Sequence, residues 1–128
     1  MGLRKANRLR SRHDFRAVFR EGTRRYGPHL TLRTLRREAS ATSTEPVCLP
    51  TRIGIAVSTK VSKRAVIRNR IKRQIRVAFR HLMPKIAPGW LLIVHVQPSA
   101  VQAKCDYHEF LQELEQLLTE AEVIDGHS

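Results

Sequence analysis

Apolar residues recur along the chain in blocks of different period, and each block predicts one element. Phe15, Val18 and Phe19 fall at i, i+3 and i+4 between Ser11 and Gly22, the spacing of a short helix with an aromatic face. Ser11 with Asp14 resembles a capping box, and Arg12, Arg16 and Arg20 follow one another a turn apart on the other face. Gly27-Pro28 signals a turn, after which His29 to Arg36 reads as a strand, with Leu30 and Leu32 on one side and Thr31, Arg33 and Leu35 on the other. Arg52 to Ser58 reads as a second strand, Ile53, Ile55 and Val57 alternating with Gly54, Ala56 and Ser58. Its small face leaves room for another element, or a ligand, to approach closely.

Beyond the loop Thr59 to Ser62, one helical pattern runs from about Lys63 to Leu82, with Pro84 as the stop. Ile67, Ile71, Ile75, Ala78, Phe79 and Leu82 share one arc of the helical wheel, and Arg68, Arg70, Lys72, Arg73, Arg76 and Arg80 spread over most of the rest. Pro88-Gly89 breaks the chain again, and Trp90 to Val96 is almost wholly apolar, as befits a strand inside a sheet. Asp106 and Glu109 resemble a second capping box. Behind them Tyr107, Phe110, Leu111, Leu114, Leu117, Leu118 and Ala121 keep helical spacing, with an acidic exposed face.

The order helix, strand, strand, long helix, strand, helix predicts a single α+β domain over residues 1–128, its one sheet covered on one face by helices. The polar stretch 38–51 is expected to be a flexible connection, and the tail from about 123 to 128 to fray.

Charge changes the picture. The 128 residues carry 24 Lys+Arg against 11 Asp+Glu, a net of +13, and the excess is concentrated in two blocks. Residues 1–37 hold twelve cations and two acids, whereas residues 52–90 hold eleven cations and no carboxylate. Residues 91–128 are acidic, with Lys104 against seven acids. An ordinary solvated helix interleaves Glu with Lys at i, i+4, and none is present between Arg52 and Trp90. A stretch of this kind repels itself unless a polyanion lies against it, so a nucleic acid is the expected partner.

Other classes recede. The longest apolar run, Trp90 to Val94, is far too short to span a bilayer, and no apolar segment follows the basic start, so a cytoplasmic chain without a membrane partner is expected. Cys48 and Cys105 form no CxxC and read as reduced thiols. The six histidines, His13, His29, His81, His95, His108 and His127, form no spaced pair, and no carboxylate cluster suited to a metal-dependent nuclease occurs in the basic block. No catalytic residue is expected in the protein.

Arg68-Asn69-Arg70-Ile71-Lys72-Arg73, preceded by Arg52-Ile53-Gly54-Ile55-Ala56-Val57-Ser58 and by Arg8-Leu9, Asp14-Phe15 and Val18-Phe19 at matching distances, resembles the protein component of bacterial ribonuclease P. The resemblance covers nearly the whole chain outside the 38–51 stretch and the tail. It implies an α-β sandwich with a mixed sheet of about four strands and a left-handed strand-helix-strand crossover. It also implies a role in removing the 5′ leader of precursor tRNA, with the catalytic RNA subunit and its Mg²⁺ performing the hydrolysis and no obligate protein partner.

Carried over by position, Arg68, Asn69, Arg70, Lys72, Arg73 and Arg76 would contact the catalytic RNA. Phe15 and Phe19 would line a cleft for the single-stranded leader, with Lys60 at its edge and Arg33 where some members carry a tyrosine. Two Phe at i, i+4 fit a plain core equally well. His95-Val96 stands where many members have a basic pair, and the 38–51 stretch is longer than in compact members. A ribosomal or other structural RNA-binding protein is the alternative; a DNA-binding module lacks any helix-turn-helix or zinc pattern.

Overall fold

The computed structural model describes residues 7–9, 11–36, 51–104 and 106–124. The connection expected at 38–51, Thr51 apart, and the tail 125–128 lie outside the described residues. The elements run α1 (Arg12–Glu21), β1 (Thr23–Tyr26), β2 (Leu30–Arg36), β3 (Arg52–Ala56), α2 (Ala65–Leu82), β4 (Trp90–Val96), α3 (Ser99–Gln102) and α4 (Tyr107–Glu120), with a 3-10 turn at Met83–Lys85 after α2.

The four strands form one mixed sheet in the order β1-β2-β4-β3. β2 is antiparallel to both neighbours, and β3 is parallel to β4, so α2 is the crossover of a strand-helix-strand unit. The α+β architecture expected from the sequence is therefore present. Register sets two cross-sheet rows that matter for function: Arg24, Arg33, Ile93 and Gly54, and beside it Tyr26, Thr31, His95 and Ala56.

Helices cover both faces of the sheet, not one as the element order predicted. β4 explains why. Its alternate residues feed two cores, Leu92, Val94 and Val96 on one side and Leu91 and Ile93 on the other, and a strand buried on both faces reads as a continuous apolar run. The larger core joins the sheet to Ile71, Ile75, Ala78, Phe79 and Leu82 of α2 and to Phe110, Leu114, Leu117 and Leu118 of α4. The smaller one joins Leu91 and Ile93 to Val18 of α1 and to Leu9.

Four local expectations need correction. β1 was not foreseen, because Thr-Arg-Arg-Tyr has no alternating apolar pattern; it is a short, exposed, charged strand at the sheet edge, where such sequences discourage further pairing. Ser11 sits at the N-cap of α1 without a side-chain capping bond, and Asp14 pairs with Arg52 at 3.6 Å. Val123 and Ile124 do not fray: both are buried in the larger core, and the Val123 N–H donates to the Leu118 carbonyl at 2.9 Å. Glu113, read as part of an acidic solvent face, is buried.

Glu113 locks the turn between β1 and β2. Its Oε2 accepts from the backbone N–H of His29 at 3.0 Å and from that of Leu30. Gly27 makes the approach possible, since a Cβ there would lie 2.6 Å from the same oxygen. Burial pushes the Glu113 carboxyl above its usual range, and the two donated N–H bonds pull partly the other way. The second predicted cap is present: Asp106 Oδ1 accepts from the Glu109 N–H at 3.0 Å.

Candidate nucleic-acid interface

α2 begins in an electrostatically unusual way. A helix N-terminus carries positive partial charge and ordinarily attracts acids, yet the first turn of α2 has none, and Lys63, Arg64 and Arg68 crowd it. Ser62 holds this end together: its Oγ accepts from the Arg64 N–H at 3.2 Å, and its carbonyl accepts from the Arg68 guanidinium at 2.9 Å. The isoleucine stripe is docked on the sheet, which turns Asn69, Arg70 and Arg73 outward as exposed side chains. Arg68, Lys72 and Arg76 form one half-buried flank, four residues apart. A polyanion laid along α2 would neutralise both the cations and the helix end.

The small face of β3 is occupied by an aromatic ring. A Cβ on Gly54 would lie 2.9 Å from Cζ of Phe15 and 3.4 Å from a Leu9 methyl, so only glycine lets α1 seat Phe15 so close to the sheet. Around that ring opens a cleft of about 240 Å³ whose walls include Arg8, Ile55 and Arg76. Phe15 thus does two jobs, packing against the smaller core and facing a cleft with cations at its rim. Arg76, expected on the RNA-gripping surface with the rest of α2, belongs to this cleft.

Phe19, one turn on, is 45% exposed. The Arg33 guanidinium lies 4.4 Å from its ring centroid, and His95 meets the ring edge-on at 5.4 Å. The three side chains come from α1, β2 and β4 and converge because α1 lies across the sheet face that carries Arg33 and His95. Arg33 therefore supports an aromatic ring where a tyrosine would have supplied one. Among the described residues, Nε of Arg33 and Nε2 of His95 are buried without a hydrogen-bond partner.

Burial, and secondarily the charge of Arg33, hold the His95 imidazole below its ordinary value of 6.5. The folded pKa is depressed, so the neutral ring's contribution to stability is complete above 6.5 and is lost as pH falls through the lower folded value. Urea denaturation against His95→Gln checks this. The stability difference between the two proteins should shift against the wild type on acidification below 6.5 and stay level above it.

Phe19, Arg33 and His95 are brought together, Phe15 and Arg76 meet in the neighbouring cleft, and Asn69, Arg70 and Arg73 stand on α2. Lys60 lies exposed in the turn after β3, and among the described residues no hydrogen bond, ion pair or ring contact joins it to Phe15, Phe19 or Arg33. Sequence reasoning did not single out Tyr26, 67% exposed at the end of the row that holds Thr31 and His95. Only its isolation beside Gly27-Pro28, an aromatic with no apolar partner in sequence, could have marked it. Among the described residues no group of three or more His, Cys, Asp or Glu is placed to hold a metal ion, and no helix is long and apolar enough to cross a membrane.

The chain as a whole is similar to known proteins. Residues 3–122 match the family model described as Ribonuclease P. The ribonuclease P protein component of Nostoc sp. is 57% identical over 140 residues, covering 100% of both chains. That of Microcystis aeruginosa is 49% identical over 127 residues, covering 99% of this chain and 100% of the relative. Among solved structures, the RNase P protein of Staphylococcus aureus superposes with a TM-score of 0.74 at 26% identity, covering 94% of this chain and 100% of that one. The RNase P protein of Thermotoga maritima gives 0.72 at 25% identity, covering 88% and 96%. A family match over almost the full length, a sheet and helices that superpose, and an acid-free arginine helix beside an aromatic cleft agree: the chain belongs to the ribonuclease P protein family.

Proposed function

We infer that the chain is the protein subunit of ribonuclease P and acts in tRNA 5′ processing with a catalytic RNA, in the cytoplasm. The observation that carries this reading is the division of the basic surface. The exposed residues Asn69, Arg70 and Arg73 stand along α2, while Phe15 and Arg76 border a separate cleft between α1 and the sheet, with the cluster of Phe19, Arg33 and His95 one turn further along α1. In this reading α2 grips the phosphates of the catalytic RNA, and the cleft holds the single-stranded 5′ leader of the precursor.

The chemistry fits each surface. Bases of an unpaired strand stack on aromatic rings without regard to sequence, and arginines at the rim neutralise its backbone. Phe19 presents a half-open ring backed by the Arg33 guanidinium and held at its edge by His95. Bond cleavage is assigned to the RNA and to Mg²⁺ held by its phosphates. Among the described residues no cluster of carboxylates is placed to cage the ion, which supports leaving it to the RNA. The protein contributes cations that partly replace Mg²⁺ in screening RNA against RNA.

The test is reconstitution. Adding the chain to its cognate catalytic RNA should lower the Mg²⁺ concentration at which precursor tRNA is cleaved at its 5′ end. If the protein leaves the Mg²⁺ dependence unchanged, the alternative of a structural RNA-binding protein takes its place.

Arg73 gives the cleanest measure of the α2 contact. Arg68 also ties down Ser62, so its loss would disturb the helix start, whereas Arg73 is exposed. Arg73→Ala should weaken binding to the catalytic RNA and reduce the slope of log affinity against log salt by about 0.7 to 0.9, one phosphate's worth of released counterions. A slope equal to the wild type's would return Arg73 to solvent.

A further inference from the structure

A second, larger depression lies on the opposite flank of α2 from the Phe15 cleft. Its volume is about 490 Å³, within the range of about 300–1,000 Å³ common to small-molecule sites. Ile67 and Ile71 of α2 and Ala100 and Val101 of α3 provide an apolar surface. Ile71 and Ala100 are buried, and Ile67 and Val101 are half-buried, so the depression exposes the edge of the larger core. Arg70 and Lys104, both exposed cations, stand at its rim. Gln74 and Asp106 complete the lining.

We propose that this depression seats one unstacked nucleotide of the RNA partner, with its base against Ile67 and Val101, its flanking phosphates near Arg70 and Lys104, and guanine as the preferred base. The proposal rests on the reading of α2 as the helix that grips the catalytic RNA. Continuity points to RNA as the occupant, because Arg70 belongs both to the exposed row of α2 and to this rim, so a backbone following the row passes the mouth of the depression. The dimensions admit a base, and apolar side chains can cover the face of an extruded base.

Asp106 sets the base preference. Its Oδ1 caps α4 through the Glu109 N–H, which fixes the carboxylate in place and leaves Oδ2 to accept from a ligand. An ionised carboxylate accepts only. Guanine offers two neighbouring donors, N1–H and the 2-amino group, on one edge. Uracil offers a single N–H flanked by two carbonyl oxygens, which the carboxylate repels.

The experiment uses the full chain and its catalytic RNA. A photo-crosslinking amino acid at position 74 should join to one unpaired guanine of the RNA. Changing that guanine to uridine should weaken binding by roughly tenfold, the scale of one seated base. Asp106→Asn keeps a competent helix cap, so it should bind with an unaltered melting temperature but with that guanine preference largely lost. Lys104→Glu, on an exposed side chain, should weaken binding by a similar factor. Crosslinks confined to paired RNA or absent, or wild-type affinity in Lys104→Glu, would overturn the seat while an Arg73→Ala defect kept the α2 reading intact. Wild-type affinity in both Lys104→Glu and Arg73→Ala would overturn that reading as well.

Discussion

Holoenzyme carrying Phe19→Ala is expected to lose roughly tenfold or more of its affinity for precursor tRNA with a 5′ leader, base stacking on an aromatic ring being worth about 1–3 kcal/mol. Its affinity for tRNA without a leader should be unchanged. The reasoning starts from burial: at 45% exposure Phe19 contributes little to either core, so its removal leaves the fold largely intact. The cluster supports the specificity of the effect. Arg33 sits 4.4 Å from the ring centroid and His95 contacts its edge, so the ring is held by two neighbours while much of it stays open. Phe19→Leu separates stacking from mere apolar cover, and should recover stability fully but leader affinity only in part. Equal weakening toward both RNAs in a folded Phe19→Ala protein would place Phe19 outside the leader cleft.

The second large effect is on stability. Glu113→Ala removes the acceptor shared by the part-buried His29 N–H and the buried Leu30 N–H, and leaving a buried donor unpaired costs about 1–3 kcal/mol. A loss of about 3 kcal/mol is expected, with the β1–β2 turn and Tyr26 disturbed first. Glu113→Gln keeps an acceptor and should lose much less. The pH dependence has a definite sign: the folded carboxyl titrates above its ordinary 4.5, so its contribution is complete below 4.5 and is lost as pH rises through the folded value. Relative to Glu113→Gln, the wild type should therefore fare best in acid. Chemical denaturation of the three proteins across that range decides the matter; an alanine variant as stable as the wild type would remove Glu113 from the turn.

Elements whose burial follows a clean period were legible in the sequence. The isoleucine arc of α2 docks as the wheel requires, β4 spans Trp90–Val96 as read, and the small face of β3 is indeed approached closely, by Phe15. What the pattern hid depends on tertiary context. Thr23–Tyr26 pairs with β2 although none of its side chains is buried, so no apolar face of its own sets its register. Glu113 looks like any solvating acid at the level of composition, because only the fold reveals two backbone donors waiting for it.

The candidate site was legible to a similar degree. The signature residues of α2 could be named in advance, but the wheel could not tell that Arg76 turns toward Phe15 while Arg70 turns toward α3. Such a split depends on what packs beside each flank of the helix. The resemblance groups Phe15, Phe19, Lys60 and Arg33, and the geometry sets Arg33 over the Phe19 ring but adds His95, which the grouping lacks; these two partners come from β2 and β4. Contacts of that kind join residues far apart in sequence and leave no local signal.

The central claim is that the α1 cleft holds the leader while α2 holds the catalytic RNA. Its most direct test is the affinity of the reconstituted holoenzyme for one tRNA prepared with and without its 5′ leader, compared with that of the catalytic RNA alone. The account predicts that the protein tightens binding of the leader-bearing form by roughly tenfold or more, one or more stacked bases' worth, and leaves the leaderless form nearly unchanged. Equal tightening of both forms would contradict it.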